Sequence, residues 1–355
     1  MRLILFVLPF LFCLPSTYAA EEALASYALT APSTTTLKAL APHFGLEHRR
    51  GNVFELIVAQ SQVPLLLSLA PDARLVESDT GAAAKSRLLL FSMRSLFTAA
   101  SYHSFDEVQR WMHGVETSHP DLAKVINYGM SGAGRPLLAL HVNKGTAVKP
   151  VLMITAATHG DELITTEILM SLIDQLIAGD GVDMRLTAML DKHDLYFVPV
   201  LNPDGFTATR RFDGNADPNR SYPWPDHENA VPTPSIAGIM HLYDMIHPAG
   251  SLDYHAYGGM IMFPWAYTYS PIPQSFATPF DALTTSMAAT NSYAHGPISD
   301  VIYIAPGSSA DYYFWKSNCV SFAIEVGQEK IPDPSEIPTY VHDQTESLWR
   351  FIEAF

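Results

Sequence analysis

Cysteine is nearly absent from this chain, with only Cys13 and Cys319 in 355 residues. Cys13 lies in an N-terminal apolar stretch that reads as removable, so no intramolecular disulfide is expected and packing must carry the stability. Positive charge is scarce too: 21 Lys and Arg face 36 Asp and Glu, for a formal charge of −15. So acidic a chain is a poor partner for nucleic acid or an anionic membrane surface. Beyond the N-terminal stretch no run of about 18 uncharged apolar residues occurs, which excludes a membrane-spanning helix there. Internal repeats and low-complexity tracts are absent as well.

What is present begins with Met1-Arg2, an apolar segment from Leu3 to Pro15, and the small-residue exit Ser16-Thr-Tyr-Ala-Ala20. This is the form of a secretory signal peptide, residues 1–19, with cleavage expected after Ala19. Losing 19 residues that hold one basic and no acidic group takes the length from 355 to 336 and the charge from −15 to −16. An exported chain left with a single cysteine suits a bacterial periplasm better than a disulfide-dense secretion, so a periplasmic or secreted location is expected.

Residues 20–85 read as a small α/β sandwich. Strands are expected at Ser26–Thr30, Asn52–Ala59 and Arg74–Ser78, and helices at Thr34–Phe44 and Val63–Leu69, a βαβαβ pattern. Residues 86–101 serve as a connector. From Tyr102 to the end, residues 102–355, strands alternate with helices. Ser104 is an N-cap for a helix to Glu116, and strands follow at 125–128, 137–142, 151–157, 195–200, 250–255, 298–303 and 320–326. The alternation predicts an α/β fold, a mixed sheet covered by helices on both faces. Residues 202–234, rich in Pro, Asn, Asp and Gly, are expected to form a long surface loop.

His159-Gly-Asp-Glu162 lies where the strand of residues 151–157 hands over to a helix. An imidazole and a carboxylate three residues apart at such a turn are able to close on one side of a zinc ion, though the bare spacing is weak. A third ligand is available in His255, at the end of a buried strand, where open α/β sheets place their sites. Arg210, Arg211 and Arg220 cluster in a chain poor in cations. Loop arginines are commonly just solvated, but guanidinium forks also suit carboxylates and developing oxyanions. Glu325 closes another apolar strand, placed either to reach solvent or to act as a general base. The Gly129–Gly134 run lacks the lysine and helix of a phosphate loop and reads as a turn.

Together these residues resemble the zinc carboxypeptidases of the M14 (carboxypeptidase A-like, funnelin) family over roughly Tyr102 to the C-terminus. The motifs that carry the resemblance are His159-Gly-Asp-Glu162, Asn202-Pro-Asp-Gly-Phe206, Asp217-Pro-Asn-Arg220, His255-Ala-Tyr257, the run Ile302 to Asp311, and Ile324-Glu325. The resemblance implies an eight-stranded-type mixed sheet and one zinc per chain held by His159, Glu162 and His255. It implies Glu325 as base on a metal-activated water, Asp217 orienting His159, and Arg211 as oxyanion donor, with a slip to Arg210 left open. Asn219, Arg220 and Tyr303 would grip a terminal carboxylate. Tyr257 would contact substrate, and Ala310 would stand where side-chain preference is set. The N-terminal unit looks like the family's pro-region.

The implied activity is metallocarboxypeptidase hydrolysis of a C-terminal amide bond. Asp161, between the ligands, departs from the digestive enzymes, which carry Arg there. It is similar to members acting on cell-wall peptides or acylated amino acids, so a zinc amidase trimming murein peptides or N-acyl amino acids is the alternative. Either way the partner is a peptide or murein peptide with a free carboxylate. A non-catalytic binding module on the same fold is the reading from a different class.

Overall fold

A computed structural model describes residues 22–40, 43–44, 46–50, 52–95 and 101–355. The expected signal peptide and its cleavage after Ala19 lie outside the described residues. The N-terminal unit holds β1 (Leu24–Thr30), α1 (Thr34–Leu40), β2 (Leu46–Arg50), β3 (Val53–Ala59), α2 (Val63–Leu69) and β4 (Arg74–Glu77). Its sheet runs β2-β3-β1-β4 with every pairing antiparallel. The expected βαβαβ pattern lacked β2, whose sequence Leu-Glu-His-Arg-Arg carries one apolar residue. As an edge strand it pairs on one side only and tolerates charge.

The expected connector is different in form. It begins inside a 16-residue helix, α3 (Thr80–Ser95), whose alanines and leucines are strong helix formers. α4 (Phe105–Ser118) then starts at Ser104 with a capping box, the Ser104 N–H donating to the Glu107 carboxylate at 2.8 Å. This satisfies the otherwise unpaired amides of a helix start.

The large sheet follows: β5 (Ala123–Met130), β6 (Pro136–Asn143), β7 (Val151–Ala156), α5 (Leu163–Ala178), α6 (Met184–Lys192), β8 (Asp194–Val198), α7 (Pro203–Ala208), α8 (Pro234–Ile246), β9 (Gly250–His255), β10 (Met260–Phe263), α9 (Gln274–Ala288), β11 (Ala294–Pro297), α10 (Ile298–Val301), α11 (Ser309–Ser317), β12 (Val320–Glu325) and α12 (Ile337–Glu353). The strand order is β11-β10-β12-β9-β7-β8-β6-β5, eight strands of mixed direction. At its centre β12, β9, β7 and β8 are parallel. All six residues of β9 are buried, as a strand with both faces covered must be.

Two expectations fail here. Residues 298–303 were expected as a strand, but the strand is β11, just before them, and Pro297 leads into the short α10. The Ile298, Val301 and Ile302 spacing is helical, and those side chains turn toward the N-terminal unit's apolar cluster. Nor is residues 202–234 simply a surface loop. Pro203–Phe206, Arg210–Asp213 and Pro218–Asn219 are buried, and exposure concentrates at Asp226–Asn229. The polar composition reflects a site that satisfies its polar groups internally.

Candidate active site

Parallel pairing brings the carboxyl ends of β7, β9 and β12 to one edge. His255 is the register partner of Glu325, and Tyr254 pairs with Ala156. After β7 the chain turns through Ala157 at φ 50° and reaches His159. Gly160 is required here by close approach: an added Cβ would stand 2.0 Å from the Gly205 carbonyl carbon and 2.2 Å from the Phe206 nitrogen. The His159-Gly-Asp-Glu162 turn therefore seats directly on the Asn202-Pro-Asp-Gly-Phe206 turn. Gly307, at φ 80°, likewise lets the 305–309 loop lie against the Arg220 backbone, 2.5 Å from where a Cβ would sit.

His159, Glu162 and His255 converge and are buried, their ligand atoms all within 4.8 Å of one another. Glu162 Oε1 lies 2.7 Å from His159 Nδ1, Glu162 Oε2 lies 3.1 Å from His255 Nδ1, and the two Nδ1 atoms are 3.1 Å apart. The outer ring nitrogens face carboxylates, His159 Nε2 at 3.2 Å from Asp217 Oδ1 and His255 Nε2 at 3.0 Å from Asp253 Oδ2. An N–H donated outward from each ring to its carboxylate would leave the inner nitrogen to ligate a metal. Two imidazole nitrogens and one carboxylate oxygen are a zinc donor set, and these residues fit that ion.

Asp253 was not anticipated. It lies on β9 two residues before His255, on the same face. It accepts from Thr155 Oγ1 at 2.7 Å, Thr158 Oγ1 at 2.9 Å and Ser309 Oγ at 2.8 Å.

Arg211 is buried beside the ligands. Its Nε and Nη2 donate to Asp217 Oδ2 at 3.0 and 2.9 Å, and Nη1 lies 3.2 Å from His159 Nδ1. Arg210 points elsewhere, donating to the Glu22 backbone carbonyl in the N-terminal unit. Arg220 donates to the Tyr303 hydroxyl at 2.9 Å, and Asn219 lies 3.1 Å from His255. His159, Arg211, Asn219, Arg220, His255, Tyr303, Ala310 and Glu325 all border one pocket, with Met262, Ile298, Ile302, Ala305 and Ala323 supplying apolar walls.

Tyr257 is not among them. It borders a separate cavity with Asp161 and Lys330, and its hydroxyl donates to Glu55 of the N-terminal unit at 3.4 Å. That unit packs over the site: Tyr27, Leu29 and Phe54 share an apolar cluster with Met260, Met262, Ile298 and Tyr303.

Comparison with known proteins decides the family. The zinc carboxypeptidase family model (peptidase M14) matches residues 108–347. The chain belongs to the M14 zinc carboxypeptidase family. By family and fold it is a metallocarboxypeptidase. Among its relatives, mouse (Mus musculus) carboxypeptidase A1 is 26% identical over 68% of this chain and 67% of that protein. Carboxypeptidase B of Astacus astacus is 27% identical over 60% of this chain and 81% of its own length. The crystal structure of carboxypeptidase A from Helicoverpa armigera superposes with a TM-score of 0.77 at 19% identity, covering 94% of this chain and 98% of that one. That share is larger than residues 102–355 alone could supply, so the likeness in fold extends into the N-terminal unit.

In this zinc carboxypeptidase the charges around the ligands are strongly coupled. Burial would raise the Glu162 pKa, but His159 and His255 overcome it and bring the carboxyl down to about 2. Burial likewise works against the Asp217 carboxylate, and Arg211 and His159 reverse it, holding the group well below its ordinary range. For His255 burial would lower the pKa, yet Asp253 and Glu162 hold it well above 6.5. Glu325 goes the other way: burial, aided by Glu162, pushes it up to about 7 against the pull of His255, His159 and Arg211. Burial also raises the Tyr303 phenol, against the pull of Arg220 and Arg211, keeping it neutral.

Proposed function

We propose that this zinc carboxypeptidase removes the last residue of a peptide bearing a free C-terminal carboxylate, with preference for a bulky apolar side chain. The observation that carries the reading is the single pocket in which His159, His255, Glu325, Arg211, the Asn219–Arg220 pair and Tyr303 meet around apolar walls. One zinc ion per chain on His159, Glu162 and His255 would supply Lewis acidity toward the scissile carbonyl and make water a better nucleophile.

The protein's own groups do the rest. Arg220 and Asn219 receive the terminal carboxylate in a charge-assisted, two-pronged contact, and the neutral Tyr303 phenol donates a third hydrogen bond. Met262, Ile298, Ile302, Ala305, Ala310 and Ala323 surround the last side chain. Among the pocket's lining residues the one carboxylate is Glu325, so a basic side chain finds no dedicated counter-charge. Glu325 takes a proton from the attacking water. The Arg211 guanidinium, pinned by Asp217, donates to the oxyanion that develops. Glu325 then returns the proton to the leaving amine, and the C–N bond breaks. The chain is taken to act after export, in a periplasm or secreted.

Asp161 supports a second reading on the same machinery, the trimming of murein peptides, whose terminal carboxylate meets the same grip. A hydrolysis panel with the zinc-loaded protein separates the two. Ordinary peptides ending in Phe, Leu, Lys or Glu are set against a murein tripeptide with a D-configured linkage. Release of Phe and Leu ahead of Lys and Glu is expected. Cleavage of the murein peptide alone would replace the first reading with the second.

A further inference from the structure

Asp161 and Lys330 form an ion pair beside the ligand turn that the chemistry above does not use. Lys330 Nζ lies 2.8 Å from Asp161 Oδ2, with 15% and 8% of the two side chains exposed. The Ile164 N–H donates to the Lys330 carbonyl at 3.1 Å, so the loop after Glu325 is tied to the start of α5 as well. Both side chains border a second cavity, of about 270 Å³, with Tyr257 on the catalytic side and Glu55, Glu77 and Arg87 on the side of the N-terminal unit and α3.

This cavity and the carboxylate pocket share no lining residue, yet each borders the ligand turn. A peptide whose last residue fills the carboxylate pocket has to continue past the ligands, and this flank offers the room. A carboxylate already stands in it, that of Glu55, accepting from the Tyr257 hydroxyl at 3.4 Å.

We propose that Lys330, held in place by Asp161, is a specificity-determining cation on the upstream side of the scissile bond and selects peptides with an acidic side chain there. The inference rests on the carboxypeptidase reading. Asp161 fixes the rotamer of a long flexible side chain in advance, so little further ordering is lost when a second carboxylate arrives. Tyr257 supplies a neutral donor beside it, the one Glu55 now uses. A substrate carboxylate that displaces Glu55 takes over the Tyr257 hydroxyl and has the Lys330 ammonium on the same cavity wall.

The test uses the zinc-loaded full chain and three N-blocked peptides that share a C-terminal Phe and carry Glu, Gln or Lys just upstream of the scissile bond. The Glu peptide is expected to exceed the Gln peptide in kcat/KM by about fivefold, the scale of a partly exposed ion pair. The difference should lie mainly in KM and shrink with added salt. Lys330→Gln should erase the Glu-over-Gln ratio and Lys330→Arg should keep it. A residue that merely clamps the loop would lower all three peptides together and leave the ratio intact. Equal kcat/KM for Glu and Gln in the unaltered protein, or an unchanged ratio in Lys330→Gln, overturns the inference and leaves the carboxypeptidase reading standing. Turnover of none of the peptides, either by the intact chain or after protease cleavage before Tyr102, overturns both.

Discussion

At the scale of residues, Glu325 and Arg211 carry the sharpest expectations. Glu325 is pushed from 4.5 up to about 7 by burial and by Glu162. A general base works only when ionised, so activity is lost as pH falls through its pKa. A cation on the ligands would pull that value down, so the acid limb of kcat/KM is expected between pH 4.5 and 7. Glu325→Gln should keep its zinc by metal analysis yet lose hydrolysis, and an active variant would remove Glu325 from the mechanism. For Arg211→Ala a drop in kcat on the order of 10² to 10³ is expected with zinc still bound, the usual effect of losing an oxyanion donor. Arg210→Ala should fall far short of that, since its guanidinium reaches the Glu22 carbonyl and does not border the pocket. A larger loss from Arg210→Ala would reverse the assignment.

Elements set these residues side by side. The direct register of Glu325 with His255 follows from β12 and β9 running parallel to the same edge. That edge was legible in the sequence, because His159, His255 and Glu325 each close an apolar run. Asp253 was legible in principle from the two-residue period of β9. It was passed over because a buried strand Asp announces nothing until its partners are known. Its contacts come from β7, the His159 turn and α11, far apart in sequence. Such backing carboxylates typically alter metal affinity 10- to 100-fold. Asp253→Ala is therefore expected to weaken zinc binding by about that factor in a chelator competition, and an unchanged affinity would make Asp253 purely structural. Short or charged strands were not legible. β10 has four residues and β2 mostly charged ones, so neither shows enough alternation to register. The buried stretches within residues 202–220 were hidden for a related reason: polar residues that bond to one another look, in sequence, like residues that bond to water.

For the whole molecule, the change in pattern near Tyr102 pointed to two parts, and motif order pointed to His159, Glu162 and His255, which converge in the structure. How the parts meet was not, since neither half's sequence states which face it presents. In the structure the N-terminal unit lies across the catalytic edge, joined through the shared apolar cluster, the Tyr257–Glu55 hydrogen bond and the Arg210 contact to the Glu22 carbonyl. Among the described residues no helix is long and apolar enough to cross a membrane. The central claim is that one zinc site, one base and one carboxylate grip make this chain release C-terminal residues. It is tested most directly by incubating the zinc-loaded protein, intact and after protease cleavage before Tyr102, with one Phe-terminated peptide in two forms, free acid and amide. Release of Phe from the free acid, abolished by a chelator and restored by zinc, with the amide left intact, is the predicted result. Equal cleavage of both forms, or of neither by either preparation, would contradict it.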